Sequence, residues 1–236
     1  MKKLLSFAAL CIATFMSCSD SADFEIHQTY FTPTSPEGIV LYADQTVDSI
    51  RVVSYDPWTA QTNFVGDEWF TITPTVCNFN RGEKVNNTRI DITATPNNTN
   101  KIKGGLIFVN SIYTIGMSVH QLSWLNIQFP VGRSVTTDNE GNELSDTDRY
   151  CVFETRVREI KGQFEVIFTT YANNATLTSD AEWLTPVEEN FANAGRHVVN
   201  INCEANPTEV ERSATLLLTS NGITTPITIT QERKRD

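Results

Sequence analysis

Alternation of apolar and polar residues between turn residues is the feature that most constrains the fold. The stretch TRIDITATP, residues 88–96, places Ile90, Ile92 and Ala94 on one face of an extended chain. Residues 113–121 and 227–231 alternate in the same way. Period-two alternation is typical of strands that bury one face, and no long stretch has the spacing of an amphipathic helix. The pattern predicts an all-β fold.

Two turn signals separate strands in the second half of the chain. The stretch REIKGQFEV, residues 158–166, predicts a hairpin that turns at Lys161-Gly162. The stretch SNGI, residues 220–223, carries the Asn-Gly dipeptide that favours a tight hairpin turn. Both signals agree with antiparallel strands.

The alternating strands belong to a pattern that the chain carries twice. The stretches DEWFTITP (67–74) and AEWLTPV (181–187) each introduce an alternating strand, an Asn-containing turn, an apolar strand and a last strand ending in glutamine. Copies of roughly 100 residues can each enclose a sandwich core. We predict two tandem β-sandwiches, at residues 38–123 and 124–232. Because Trp69 and Trp183 recur at the same point, a core role is favoured over a ligand platform for both.

The N-terminal residues have the features of an export signal. Two lysines precede an apolar run of 13 residues, LLSFAALCIATFM. A bilayer-spanning helix needs roughly 20 apolar residues, so the run predicts a signal peptide over residues 1–17 and not an anchor. The small residue before Cys18 resembles a bacterial lipoprotein signal, which implies lipid on Cys18. The alternative is ordinary secretory cleavage near residues 17–22. Residues 18–37, rich in Ser, Thr, Asp and Pro, predict a tether.

Charge and cysteine content exclude several classes of function. The chain has a net charge of −10, and without residues 1–17 it keeps 16 basic against 28 acidic residues, a net charge of −12. This balance argues against binding nucleic acid or anionic glycans. Apart from the signal region, the cysteines are Cys77, Cys151 and Cys203, without CxxC or Cys/His spacing. No metal site or disulfide framework is predicted, although one disulfide among the three stays open.

Catalytic motifs are not found in the sequence. The three histidines are not accompanied by an HExxH or GxSxG pattern, so we expect no enzyme and no cofactor. The acidic stretch TTDNEGNELSDTD, residues 136–148, is rich in oxygen ligands, but its glycine does not fall at the EF-hand position. A solvated acidic hairpin is favoured there, with calcium as the alternative.

The second copy resembles the BACON family, immunoglobulin-like modules of Bacteroidetes surface and secreted proteins. The resemblance rests on Glu182-Trp183-Leu184, Asn206, Arg212-Ser213-Ala214-Thr215-Leu216 and Ile227-Thr228-Ile229-Thr230-Gln231. The first copy is more divergent, with Trp69-Phe70, Lys103-Gly104-Gly105 and Val119-His120-Gln121 at the matching places. The resemblance implies two immunoglobulin-like sandwiches, with carbohydrate or mucin association or a spacer role. The family usually accompanies a catalytic domain, whereas here the sequence ends five residues after Gln231.

The best candidates for a glycan site are aromatic residues in YDPWTAQTNF, residues 55–64. Tyr55, Trp58 and Phe64 stand among Pro, Thr, Gln and Asn, which suits an exposed loop. An exposed ring can stack on the apolar face of a sugar. The alternative places Trp58 over the open end of the first sandwich.

Together these features predict a non-catalytic lipoprotein of the outer membrane, on the cell surface or the periplasmic face. Its expected ligand is a neutral glycan or glycoprotein. The alternative is a structural, assembly or spacer subunit that docks another envelope protein.

Overall fold

The computed structural model describes residues 28–32, 38–64, 66–79 and 85–234. These residues form strands and no helix, which confirms the all-β prediction, and they contain no helix long and apolar enough to cross a membrane. The predicted signal peptide and Cys18 lie outside the described residues. The strands are β1 Thr29–Thr32, β2 Ile39–Leu41, β3 Val47–Ser54, β4 Trp58–Phe64, β5 Phe70–Thr73, β6 Val76–Cys77, β7 Asn86–Ala94, β8 Lys103–Asn110, β9 Thr114–Gln121, β10 Asn126–Phe129, β11 Arg133–Val135, β12 Tyr150–Val157, β13 Gly162–Thr170, β14 Ala175–Ser179, β15 Leu184–Pro186, β16 Asn190–Phe191, β17 Gly195–Cys203, β18 Arg212–Ser220 and β19 Ile223–Gln231.

The first nine strands form two facing sheets, which we call the first sandwich. One sheet has the order β1-β3-β7-β5, and the other has the order β2-β9-β8-β4-β6. Strand β2 runs parallel to β9, while the other pairs are antiparallel. The arrangement is that of an immunoglobulin-like sandwich.

The remaining strands repeat this topology in the second sandwich. Its sheets have the orders β10-β13-β17-β15 and β11-β12-β19-β18-β14-β16, and β12 runs parallel to β19 as β2 does to β9. Apart from the added edge strand β11, every strand has a counterpart at the same place in the first sandwich. The pattern repeat in the sequence is therefore also a repeat of strand order.

The two predicted turns have different outcomes. Asn221 and Gly222 have φ angles of 51° and 77°, so the Asn-Gly turn between β18 and β19 is confirmed. The hairpin predicted at Lys161-Gly162 is wrong, because β12 and β13 lie in different sheets. A turn signal between two strands does not reveal whether the chain stays in one sheet or crosses to the other.

Buried apolar side chains form two clusters, one inside each sandwich. Strand β7 contributes Ile90, Ile92 and Ala94 to the first cluster, while its counterpart β17 contributes Val199, Ile201 and Cys203 to the second. The inward residues of both strands follow the alternation seen in the sequence. Burial raises the pKa of the Cys203 thiol, and Cys77, Cys151 and Cys203 are free thiols.

Part of the predicted tether belongs to the first sandwich. Residues Thr29–Thr32 form strand β1, which pairs with β3 at the edge of the sheet, and Phe31 is buried in the first cluster. The prediction of a tether reaching residue 37 is therefore wrong for this strand. Its alternation is too short to stand out among the surrounding polar residues.

The joint between the sandwiches is made by the loop from β2 to β3. Asp44 is fully buried, and its Oδ2 accepts hydrogen bonds from the Tyr171 N–H at 2.9 Å and the Ser220 hydroxyl at 2.7 Å. The Tyr42 and Tyr171 rings stack with centroids 6.0 Å apart, and burial raises the pKa of Tyr42. Ala43 packs into the second cluster. The β2–β3 loop of the first sandwich thus packs against the residues of the second sandwich that follow β13 and end β18.

Candidate functional site

Trp58 is a core residue and not an exposed platform. Its side chain is 2% exposed and lies in the first cluster. The prediction of an exposed Trp58 ring is therefore wrong, and the alternative of a Trp folded onto the sandwich is nearer to the structure. Trp58 opens strand β4, so its ring points between the sheets and not out of a loop.

Trp58 can be buried because the two sandwiches place their large and small side chains differently at one pair of facing strand positions. Trp58 pairs across strands with Cys77, whereas at the equivalent place Ala175 pairs with Phe191. Side chains of directly paired residues lie on the same face of the sheet. One sandwich therefore places its large aromatic ring on the longer strand, and the other places it on the short edge strand.

Tyr55 and Phe64 do not join Trp58 in one exposed surface. Tyr55 is half-buried in the turn before β4, and Phe64 is half-buried at the other end of that strand, where its ring lies edge-on to Phe70 with centroids 4.9 Å apart. Trp58 and Phe64 are separated by most of a seven-residue strand, roughly 20 Å. The three predicted residues do not form one glycan site.

A different pair of tyrosines lies at the outer end of the first sandwich. The turn at residues 54–56, which contains Tyr55, and the turn at residues 111–113, which contains Tyr113, meet there. We call this surface the tyrosine end. Thr29 Oγ1 lies 2.8 Å from the Ser54 hydroxyl and 2.8 Å from the Ser111 hydroxyl, which ties the two turns together. Tyr113 is 62% exposed, and the half-buried Tyr55 directly follows Ser54.

The sequence analysis missed Tyr113 because this residue reads as the start of the alternating stretch at residues 113–121. Its neighbour Ile112 is 43% exposed, so this turn presents both an aromatic ring and an aliphatic side chain. Ser111 holds the turn by donating its N–H to the Tyr113 carbonyl at 3.0 Å. Tyr113 lies in the three-residue turn between β8 and β9, and a bulky aromatic residue next to such a turn is the signal that could have found it.

A cleft lies at the opposite end of the first sandwich, next to the second one. We call it the Trp69 cleft; its volume is about 640 Å³, and its lining comprises Asp67, Glu68, Trp69, Thr95, Thr99, Asn100, Lys101, Ile102, Lys103 and Thr147. Lysine and acidic side chains are equal in number there. Burial lowers the pKa of Lys103. Volumes of this size are common for ligand sites.

The counterpart of the Trp69 cleft in the second sandwich is filled by an arginine. Trp183 is half-buried, and the Arg212 guanidinium lies 4.3 Å from the centroid of its ring. Trp69 is 4% exposed and donates its indole N–H to the Gly104 carbonyl at 3.2 Å. Both tryptophans pack against the cores, which agrees with the predicted core role.

The acidic insertion folds as a loop that contacts the first sandwich. Asp148 lies 2.9 Å from the Lys101 ammonium, and the Ile102 N–H donates to the Thr147 carbonyl at 2.9 Å. Hydrogen bonding to Lys101 and to Ser145 lowers the pKa of Asp148. The Asp138 carboxylate accepts three hydrogen bonds within the loop, from the N–H groups of Glu140 and Asn142 and from the Asn142 side-chain amide.

No metal-binding arrangement is present in the part of the chain that the structure describes. Groups of three or more His, Cys, Asp or Glu side chains placed to hold a metal ion do not occur among these residues. Two acidic side chains of the insertion, Glu143 and Asp146, instead form ion pairs with the Arg149 side chain.

Three solved structures that resemble this chain do so at low similarity. A GH5 xyloglucanase of Bacteroides ovatus, in complex with a XXXG heptasaccharide, is 20% identical with a TM-score of 0.31; the match covers 34% of this chain and 17% of that one. A protein from Bacteroides thetaiotaomicron, solved by NMR, is 12% identical over 47% of this chain and 90% of that one, with a TM-score of 0.28. The CupB2 chaperone of Pseudomonas aeruginosa is 10% identical over 82% and 96%, with a TM-score of 0.30. Similarities this low carry no weight for a ligand or an activity.

One segment of the chain matches a protein-family model. No curated protein sequence matches the chain. Residues 170–232, which extend from the end of β13 to just after β19, match the family model BACON, described as "Putative binding domain, N-terminal". The predicted BACON resemblance is thus confirmed for this part of the second sandwich, and for the first sandwich it stays a prediction.

Proposed function

We propose that the protein is a non-catalytic, exported binding protein whose first sandwich binds a neutral glycan or glycoprotein at the tyrosine end. The observation that carries the proposal is the 62% exposed ring of Tyr113 beside the Tyr55 turn. The match of residues 170–232 to a binding-domain family supports the general class.

The chemistry of the tyrosine end suits a sugar. A pyranose offers an apolar face to an aromatic ring and hydroxyl groups to polar side chains. Asn110 and Thr114 flank the turn that carries Tyr113, and the Thr114 hydroxyl donates to Asn110 Oδ1 at 2.8 Å. The net charge of −10 disfavours anionic ligands, so a neutral glycan is the better fit.

Tyr113→Ala is expected to weaken glycan binding about tenfold, or ~1.4 kcal/mol, because it removes the stacking ring without touching the core. A screen of neutral glycans on the purified protein would identify the ligand, and titration calorimetry would compare the variants. Tyr150→Ala is the matched control, because Tyr150 is a 44% exposed tyrosine in the second sandwich. Binding that is equally weakened by both substitutions would refute the location, and absence of binding to every glycan would refute the function.

The proposed anchor is a lipid on Cys18, which would hold the protein at the outer membrane. Its support is the resemblance of residues 1–18 to a lipoprotein signal. Cells fed a clickable fatty acid should label the native protein, and Cys18→Ala should abolish the label. Equal labelling of both forms would contradict the anchor.

A spacer or assembly subunit is the second candidate, favoured by the buried joint between the sandwiches. Asp44, Tyr171 and Ser220 connect the two sandwiches through buried hydrogen bonds. A rigid tandem of this kind can hold a partner at a fixed distance from its attachment point. Rigidity is the property that separates this role from a flexible string of binding modules.

A further inference from the structure

The outer face of one sheet in the first sandwich carries an aromatic ring. In strand β8, Ile107 and Val109 point into the first cluster, so Phe108 between them points outward. Phe108 pairs across the strands with Gln61 of β4 and with Gly116 of β9. Directly paired residues share one face of a sheet. The half-buried Phe108 ring therefore belongs to the outer surface, between an amide side chain and a glycine.

Gly116 leaves space beside this ring. A Cβ atom at Gly116 would lie 3.3 Å from Phe108 Cε1 and 3.4 Å from Phe108 Cδ1, so one side of the ring lies against β9. Because glycine has no side chain, nothing from position 116 covers the ring. At the equivalent place in the second sandwich, Leu217 pairs with Pro226. The second sandwich has neither the ring nor the gap at this position.

The outward residues around the ring are uncharged. We call them the Phe108 face, which comprises Thr59, Gln61, Asn63, Leu106, Phe108 and Asn110. Within the described residues, the exposed side-chain amides of Gln61 and Asn63 make no hydrogen bond, so they are open to a ligand. The outer face of the opposite sheet instead carries Arg51, Arg89 and Asp91. In a chain with a net charge of −10, an uncharged face with open amides fits a neutral ligand rich in hydroxyl groups.

The Phe108 face is continuous with the tyrosine end. Asn110 pairs with Thr114 in the last row of β8 and β9 before the turn that carries Tyr113. Phe108 lies two residues earlier on β8, roughly 7 Å from that row along the strand. Because Tyr113 lies beyond the row, a ligand that contacts both aromatic rings must be longer than one pyranose.

We propose that the Phe108 face is a second sugar subsite, and that the ligand is a neutral oligosaccharide that runs from the tyrosine end along β8. This inference rests on the glycan binding proposed above and adds the length and direction of the ligand. One sugar stacks on Tyr113, and a later sugar of the same chain lays its apolar face on the Phe108 ring beside Gly116. The open amides of Gln61 and Asn63 bind the hydroxyl groups of that later sugar.

The test measures how affinity depends on the length of the sugar chain. Linear neutral oligosaccharides of glucose, galactose, mannose and xylose are titrated into the purified protein by calorimetry, from the disaccharides to the hexasaccharides. In the series that binds, we expect the affinity to rise about tenfold between the disaccharide and the tetrasaccharide, because the second ring adds a stacking contact. Phe108→Ala should abolish this rise and leave the disaccharide affinity unchanged, whereas Tyr113→Ala should weaken binding at every length.

Gly116→Thr tests the subsite with the ring still in place. Gly116 does not have a positive φ angle, and threonine is a favourable strand residue, so the variant should fold. Its side chain fills the space beside the Phe108 ring, and we expect the rise of affinity with length to be lost. Leu217→Ala, at the equivalent place in the second sandwich, is the matched control and should keep the rise.

The proposal is overturned if Phe108→Ala keeps the rise of affinity with length, or if Leu217→Ala loses it equally. A Phe108→Ala protein that melts at a lower temperature but binds every length as the native protein does would also overturn it. That result would limit the ring to covering the glycine of the neighbouring strand. Binding that depends on Tyr113 but not on chain length overturns this inference alone, whereas absence of binding to every sugar chain overturns the proposed function with it.

Discussion

Trp58→Ala is expected to lower the free energy of unfolding by about 3–5 kcal/mol, the cost of removing a buried aromatic side chain. The ring is 2% exposed and lies among the apolar residues of the first cluster, so its loss leaves a cavity between the sheets. The partner across the strands is Cys77, which is too small to close the gap. Guanidinium chloride unfolding, followed by far-UV circular dichroism, would measure the change.

The second sandwich supplies the compensating variant. Adding Cys77→Phe to Trp58→Ala recreates its pair of a small residue on the longer strand and Phe191 on the edge strand. We expect the double variant to regain at least half of the lost stability, because total core volume matters more than its distribution. Tyr113→Ala, an exposed aromatic substitution in the same sandwich, should stay within about 0.5 kcal/mol of the native protein. A Trp58→Ala protein as stable as the native one would place the ring outside the core.

Asp44→Ala is expected to uncouple the two sandwiches. It removes the acceptor shared by the Tyr171 N–H and the Ser220 hydroxyl, leaving two donors without a partner at about 1–3 kcal/mol each. Freed from the joint, the sandwiches should sample many relative orientations. Small-angle X-ray scattering would show a larger maximum dimension and a broader distance distribution than for the native protein.

The matched control for the joint is Glu143→Ala. This carboxylate is exposed in the acidic insertion, so its loss changes the net charge equally without touching the buried contacts. Its scattering curve should overlay that of the native protein. If Asp44→Ala also overlays it, the joint is not what fixes the orientation, and the spacer role loses its support.

Much of the fold could be predicted because alternation reports which face of a strand is buried. The inward residues of β7 and β17 and the repeated strand order follow directly from it. Trp58 could not be placed in this way, because it stands at the first position of a strand and next to a turn, where an inward and an outward ring give the same local pattern. Only the small partner at Cys77 shows that there is room for the ring.

The candidate sites depend on contacts between residues that are distant in the chain. Comparison of the two copies shows that Lys103 stands where the second sandwich has Arg212, but the contact between the Arg212 guanidinium and the Trp183 ring is seen only in the structure. Tyr113 gains its place beside Tyr55 only through Thr29, which comes from a strand that the sequence pattern assigned to a tether. Sequence patterns give the faces of strands but not which turns meet.

The exchanged aromatic positions also protect the chain against mispairing of its own repeats. If β4 paired with β16, Trp58 and Phe191 would compete for one space; if β14 paired with β6, Ala175 and Cys77 would leave it empty. Neither hybrid sandwich could pack to native density. Tandem copies with the same strand order are prone to misassembly between neighbours during folding. The different side chains at this shared position favour pairing of β4 with β6 and of β14 with β16 over the two hybrid pairings.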